Sequence, residues 1–182
     1  EFIEGKSVVP VSGRVFDEDD IATLVDSALD FHLTTYRYND EFEKSLRDFF
    51  GLKYALTCNS GSSANLIAVS SLTSHLLKER ALKQGDEIIT VAAGFPTTVN
   101  PILQNNLIPV FVDVELKTYN VDIKEIEKAI SKKSKAIILA HTLGNPFNID
   151  KVKKICEKYN LWLIEDCCDA FGTKYNGKKT GT

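Results

Sequence analysis

The sequence predicts an α/β fold of three layers, in which a mostly parallel sheet is covered by helices on both faces. Three observations carry this. Short, nearly continuous Val/Ile/Leu runs recur at 87–91, 109–114, 135–140 and 161–164, where a strand with one wet face would alternate polar and apolar. Segments with apolar residues at helical spacing separate these runs, as parallel pairing requires. The polar residues able to do chemistry sit just past the carboxyl ends of the runs, where open parallel sheets place their sites.

Taken in order, residues 1–15 read as an arm with a weak strand. Asp17 to Asp20 supply a cap and an acidic first turn for a helix carrying Ile21, Leu24, Val25, Ala28 and Leu29. A polar and aromatic loop, Leu33 to Asn39, leads to a helix starting at Asn39 or Asp40. It places Phe42, Leu46, Phe49 and Phe50 on one face, and Gly51 ends it. Tyr54 to Cys58 reads as a short buried strand. The small residues Cys58-Asn59-Ser60-Gly61-Ser62-Ser63-Ala64-Asn65 come next, then one long helix marked by Leu66, Val69, Leu72, Leu76 and Leu77. After the 87–91 strand come Gly94, Phe95 and Pro96 and a short helix near 98–105. Asp122 caps a helix that turns Ile123, Ile126, Ala129 and Ile130 inward. The loop His141 to Pro146 succeeds the third run. Val152, Ile155, Cys156 and Tyr159 mark another helix, and the fourth run ends on Glu165-Asp166. A last strand is expected over 170–175, with a turn at Asn176-Gly177. Residues 1–50 form an N-terminal arm with helices, and 51–182 form the sheet domain.

Composition narrows the function classes. At 182 residues, 43% hydrophobic and 26% charged, the chain can bury a real core. Its net charge of −3 and lack of a Lys/Arg block give no footprint for nucleic acid or an anionic membrane. No apolar run approaches the roughly 20 residues of a membrane span, and no signal-peptide pattern opens the chain, so a cytoplasmic location is expected. The cysteines Cys58, Cys156, Cys167 and Cys168 lack C-x-x-C spacing and read as buried reduced thiols, with no metal site expected. Cys167 and Cys168 are expected on opposite faces of a strand.

The Ser-rich turn lies between a strand and a helix N-terminus. Free N–H groups and the helix dipole there form an anion site, with Gly61 allowing close approach and Ser62 and Ser63 adding hydroxyls. The alternative is a plain helix cap from Asn59, Ser60 or Ser62. Asp166, at the tip of an apolar strand, either caps the next segment or holds a cationic ring nitrogen, and Asp169 adds another acid nearby. Phe95 is placed either to cover a flat ligand or to plug the core. His141 reads as a structural group or a catalytic one.

Phosphate turn, stacking aromatic and ring-nitrogen acid, each at a different strand end, together describe a pyridoxal-phosphate pocket. Asn59-Ser60-Gly61-Ser62-Ser63-Ala64-Asn65, Ala93-Gly94-Phe95-Pro96-Thr97-Thr98-Val99-Asn100, Pro109 to Val114 and Leu161 to Asp166 resemble, in order, the N-terminal part of the DegT/DnrJ/EryC1/StrS sugar aminotransferase family. The resemblance implies the large-domain part of the aspartate-aminotransferase fold, with the small domain absent. It implies that Gly61, Ser62 and Ser63 hold the cofactor phosphate, that Phe95 stacks on the pyridine ring and that Asp166 pairs with its nitrogen. Where the family usually has Gln or His, near the ring hydroxyl, this chain has Asp169. Ile164 to Ala170, Val91 to Thr98, Ala140 to Asn145, Gly5 to Pro10 and Leu33-Thr34-Thr35 resemble the CDP-4-keto-6-deoxyglucose 3-dehydrase branch, which makes 3,6-dideoxy sugars such as those of O-antigens.

That branch implies a pyridoxamine 5'-phosphate or pyridoxal 5'-phosphate cofactor and a CDP-sugar substrate. It also implies a histidine in place of the Schiff-base lysine, a two-iron, two-sulfur cluster, an electron-donating reductase and a homodimer. The histidine or lysine and the cluster cysteines are expected after Thr182, so no catalytic base is expected within 1–182. Thr34 and Thr35 are candidates to reach the sugar, and Asn100, His141 and Thr142 to line the pocket edge. An ordinary nucleotide-sugar aminotransferase and a non-catalytic sensor on the same fold remain as alternatives. A dinucleotide-binding domain is disfavoured, because the turn has one glycine and not G-x-G-x-x-G.

Overall fold

The computed structural model describes residues 2–9, 13 and 15–182. Two compact units divide the chain, Glu1–Ser45 and Leu46–Thr182.

In the first unit, α1 (Glu18–Leu29) begins on a capping box. The Asp17 side chain accepts from the N–H groups of Asp19 and Asp20, and Asp20 accepts from the Asp17 N–H. The helix α2 (Arg37–Phe50) starts earlier than its sequence pattern implies. Arg37 pairs with Asp30 and Asp26, and Tyr38 donates to Asp26 at 2.5 Å, so the predicted loop residues anchor a helix start. The expected arm strand falls partly on residues 1, 10–12 and 14, which lie outside the described residues. The described arm residues contain no strand, and the N–H groups of Lys6 and Ser7 turn back to the Ile3 carbonyl.

The second unit is built on four parallel strands in the order β2-β1-β3-β4: β1 (Glu87–Val91), β2 (Ile108–Val112), β3 (Ser134–Ala140) and β4 (Trp162–Asp166). The connecting helices are α4 (Pro96–Gln104), α5 (Ile123–Ala129) and α6 (Ile149–Tyr159), and α3 (Gly61–Ser71) precedes the sheet. Alternate residues of β1 and β3 serve opposite faces. Ile89, Val91, Ile137 and Leu139 pack with Ile126 of α5 and Val152 and Ile155 of α6. Ile88, Ala136 and Ile138 pack with Val69 of α3 and Ile102 of α4. Burial on both faces is why these strands read as unbroken apolar runs. A two-residue turn at Asn176-Gly177, both at positive φ, joins the short antiparallel strands β5 (Lys174–Tyr175) and β6 (Lys178–Lys179).

Three further expectations fail. Tyr54 to Cys58 forms no strand, and Tyr54 and Leu56 are exposed, because no neighbouring strand pairs with this segment. The long helix stops at Ser71. Leu76 and Leu77 lie in a separate 3-10 stretch, His75–Arg80, kinked at Lys78 where φ is 53°. Strand β4 also ends at Asp166, so Cys167 and Cys168 lie on the turn after the sheet and not on opposite strand faces.

Candidate cofactor site

Leaving β1 the chain turns one way to β2, and leaving β3 it turns the other way to β4. The carboxyl ends of β1 and β3 therefore open a crevice at the reversal of strand order. A cavity of about 390 Å³ lies elsewhere, beside Lys153, Cys156 and Leu163. The cavity at the reversal is the larger, at about 480 Å³, and it holds most of the residues that the sequence singles out. Gly61 and Ser62 from the start of α3, Phe95 from the loop after β1, His141 and Thr142 from the loop after β3, and Asp166 and Asp169 from the end of β4 all line it.

Asp166 is the best-anchored polar group. Its Oδ2 accepts from Asn65 Nδ2 at 2.8 Å and Thr98 Oγ1 at 3.1 Å, and its Oδ1 accepts from the Cys168 N–H at 3.1 Å. Asn65 and Thr98 are buried, and Asn65 also donates to the Thr97 carbonyl, tying α3 to α4 behind the carboxylate. Three donors fix this carboxylate, which lines the cavity. Sequence reading assigned no role to Asn65 or Thr98. The available signal was a polar residue one turn into a helix on its buried side.

At the start of α3 the Ser60 side chain caps the Ser63 N–H, and the Ser60 carbonyl accepts from Ala64. The N–H groups of Gly61 and Ser62 have no acceptor within the helix. A Cβ at Gly61 would meet only Cys168 Sγ, at 3.9 Å, so this helix end is open. The cap is thus made by Ser60, and it leaves the first N–H groups of α3 open.

Phe95 is 71% exposed, so it is not a core plug, and its ring lies bare against the cavity. His141 is fully buried and stacks on Phe147 with ring centroids 4.4 Å apart. Its Nε2 lies 2.9 Å from Glu165 Oε2, which also accepts the Gly181 N–H. An ionised carboxylate only accepts, so Nε2 carries the proton, and Nδ1 has no partner among the described residues. Burial, the largest single effect, pushes the Glu165 carboxyl up. The bonds from His141 and Gly181 outweigh it and hold the group below its ordinary range.

Not every candidate meets this cavity. Ser63 and Asn100 line a separate one of about 160 Å³, with Ser62 shared between the two. Thr34 and Thr35 belong to the first unit, where Thr34 hydrogen-bonds His32 and lines a small cavity of its own. The four thiols are free, but only Cys156 is buried, while Cys58 and Cys168 are exposed. One ligand atom from each of His141, Glu165 and Cys167 lies within 4.8 Å of the others. Burial pushes the Cys167 thiol up to about 11. No helix of the described residues is long and apolar enough to cross a membrane.

Comparison with known proteins agrees with this geometry. The chain is 61% identical over 181 residues to the lipopolysaccharide biosynthesis protein RfbH of Salmonella typhimurium, covering 100% of this chain and 41% of that protein. It is 51% identical to a dTDP-4-dehydro-2,6-dideoxy-D-glucose 3-dehydratase of Saccharopolyspora spinosa, covering 100% of this chain and 39% of that protein. Among solved structures it resembles an E. coli GDP-4-keto-6-deoxy-D-mannose-3-dehydratase with bound hydrated PLP. The TM-score is 0.85 at 36% identity, over 95% of this chain and 44% of that one. The chain thus spans less than half the length of these relatives. The family model described as the DegT/DnrJ/EryC1/StrS aminotransferase family matches residues 15–182. The α/β sheet, the site at its strand reversal and this match agree: the chain belongs to the DegT/DnrJ/EryC1/StrS aminotransferase family.

Proposed function

We propose that the full-length protein uses pyridoxamine 5'-phosphate or pyridoxal 5'-phosphate to remove the C3 hydroxyl of CDP-4-keto-6-deoxyglucose. The observation that carries this is the convergence of Gly61 and Ser62 from the start of α3, Phe95 from the loop after β1 and Asp166 from the end of β4 on one cavity. Its volume of about 480 Å³ falls within the roughly 300–1,000 Å³ of small-molecule sites.

The donor set fits such a cofactor. The open N–H groups at the start of α3 and the Ser62 hydroxyl suit a phosphate dianion. The bare Phe95 ring suits the face of a flat heteroaromatic. Asp166, anchored by its three donors, would pair with a protonated ring nitrogen. When bound, the cofactor supplies an amine or aldehyde and a ring that takes up electrons released at the neighbouring carbon. Asp166 then acts by favouring that electron uptake, an effect larger in the transition state than in the ground state. Asp169, on the cavity wall, replaces a neutral amide or an imidazole with a carboxylate, and we assign it to the ring hydroxyl. This charge difference favours the amine-bearing form of the cofactor. Asp169→Gln in the full-length protein is expected to change the ratio of the two cofactor forms. An unchanged ratio and unchanged turnover would reject that assignment.

Among the described residues the one group of three ligand-type side chains, His141, Glu165 and Cys167, holds a single cysteine. The iron–sulfur cluster, its reductase, the histidine in place of the lysine and the homodimer belong to the proposal for the whole protein.

The decisive experiment incubates the full-length protein with pyridoxamine phosphate, CDP-4-keto-6-deoxyglucose and a reductant. Loss of the 3-hydroxyl supports the reading. Transfer of an amino group to the sugar replaces it with an aminotransferase, and cofactor binding without either reaction replaces it with a sensor.

A further inference from the structure

Asn120 sits in the connection between β2 and α5. It is only 5% exposed and does not line the cavity. Both ends of its amide are used on one turn. Its Oδ1 accepts from the Thr142 N–H at 3.2 Å, and its Nδ2 donates to the Asn145 carbonyl at 2.9 Å. Thr142 Oγ1 also donates to the Tyr119 carbonyl at 3.2 Å. The first and last residues of the 142–145 turn are therefore clasped by one buried side chain and its neighbour.

Between the clasped ends lie Leu143 and Gly144, with φ of 54° and 81°. A bulky residue in the left-handed region is strained and persists only where its surroundings over-determine it. The clasp does so here. Leu143 is 82% exposed and projects onto the cavity wall, so no packing of its own explains its backbone. Gly144 abuts the turn that carries Asp169: a Cβ there would lie 2.8 Å from the Asp169 carbonyl oxygen. The two turns are in backbone contact, with no room for an intervening atom.

We infer that Asn120 is a positioning residue, which fixes the 142–145 turn and, through the backbone contact of Gly144 with Asp169, sets the 167–170 turn at the cofactor cavity. The coupling of the two turns stands on geometry. Its consequence for the cofactor rests on the function proposed above.

The test uses the full-length protein and its Asn120→Ala and Asn120→Asp variants. Asn120→Asp keeps the acceptor for Thr142 and loses the donor to Asn145, and it serves if Asn120→Ala does not fold. Hydrogen exchange without cofactor reads the Gly144 and Asn145 amides of the first turn and the Ala170 amide of the second, all hydrogen-bonded within their turns. Asn120→Ala is expected to speed exchange about tenfold or more at both turns, with the amides of β1 and β3 unchanged, and Asn120→Asp to fall between. With cofactor, dissociation should rise about tenfold, and the pH dependence of the bound cofactor's absorbance should shift in the same direction as in Asp169→Asn. Faster exchange confined to 142–145, or none, would overturn the coupling. So would an unaltered cofactor spectrum beside an unprotected Ala170. If the wild-type protein binds neither cofactor form, the proposed function fails, and the exchange result alone decides the coupling.

Discussion

Asn65 Nδ2 lies 2.8 Å from Asp166 Oδ2, joining residues 101 positions apart in sequence. The amide is buried and the carboxylate lines the cavity, so α3 is locked to the end of β4 beside the cavity proposed to take the cofactor ring. A hydrogen bond to a charged group contributes about 1.5–3 kcal/mol. Asn65→Ala is expected to weaken cofactor binding about ten- to a hundredfold in the full-length protein, measured by equilibrium titration. Asn65→Asp, which places a second carboxylate against Asp166, should be worse.

Phe95 separates function from stability. Its ring is exposed, and exposed side chains away from special features contribute within about 0.5 kcal/mol. Phe95→Ala should leave the urea midpoint of the apo protein unchanged. An aromatic stack adds about 0.5–1.5 kcal/mol, so the same variant should lose about three- to tenfold in cofactor affinity. A large loss of apo stability would show that the ring is structural.

The Glu165 carboxyl is held below its ordinary value of 4.5. A lowered folded-state value means that the unfolded chain takes up the proton first as pH falls. The stabilisation is therefore complete above about pH 4.5 and is lost as pH drops through the lowered value. Glu165→Gln keeps an acceptor for His141 but cannot titrate. Its stability should depend less on pH below 4.5 than that of the wild type, as read from urea midpoints between pH 3 and 6 (about the range in which carboxylates titrate).

Gly144 and Gly177 have nearly equal φ, 81° and 80°, in different surroundings. A Cβ at Gly177 meets nothing within 4 Å, whereas one at Gly144 lies 2.8 Å from the Asp169 carbonyl oxygen. Alanine at Gly177 should cost about 1 kcal/mol, the conformational term alone. Alanine at Gly144 should cost more, by about 1–3 kcal/mol, because backbone must shift. Equal losses in chemical denaturation would show that the close approach relaxes freely.

The sheet was legible because burial on both faces leaves no room for polar alternation. The runs at 87–91, 109–114, 135–140 and 161–164 are β1 to β4 within a few residues. The start of α1 was legible because Asp17 and Asp20 cap it locally. Tyr54 to Cys58 misled, because an apolar run is a strand only when another strand pairs with it. The end of α3 misled because the spacing of Leu76 and Leu77 continues the helical period across a backbone break.

By itself the sequence determined which residue types stand at the helix start and at the strand ends: Gly61 and Ser62 at the opening of α3, Phe95 after β1 and Asp166 on β4. Local pattern suffices for that, since hydrophobic periodicity and caps act over a few residues. Only the tertiary structure decided that these groups share one cavity while Ser63 and Asn100 line another. It alone supplied Asn65 and Thr98 behind Asp166, Glu165 against His141, and Asn120 across the 142–145 turn. Each of these contacts joins residues 22 to 101 positions apart, so the order of strands in the sheet, which no local pattern encodes, is what brings them together.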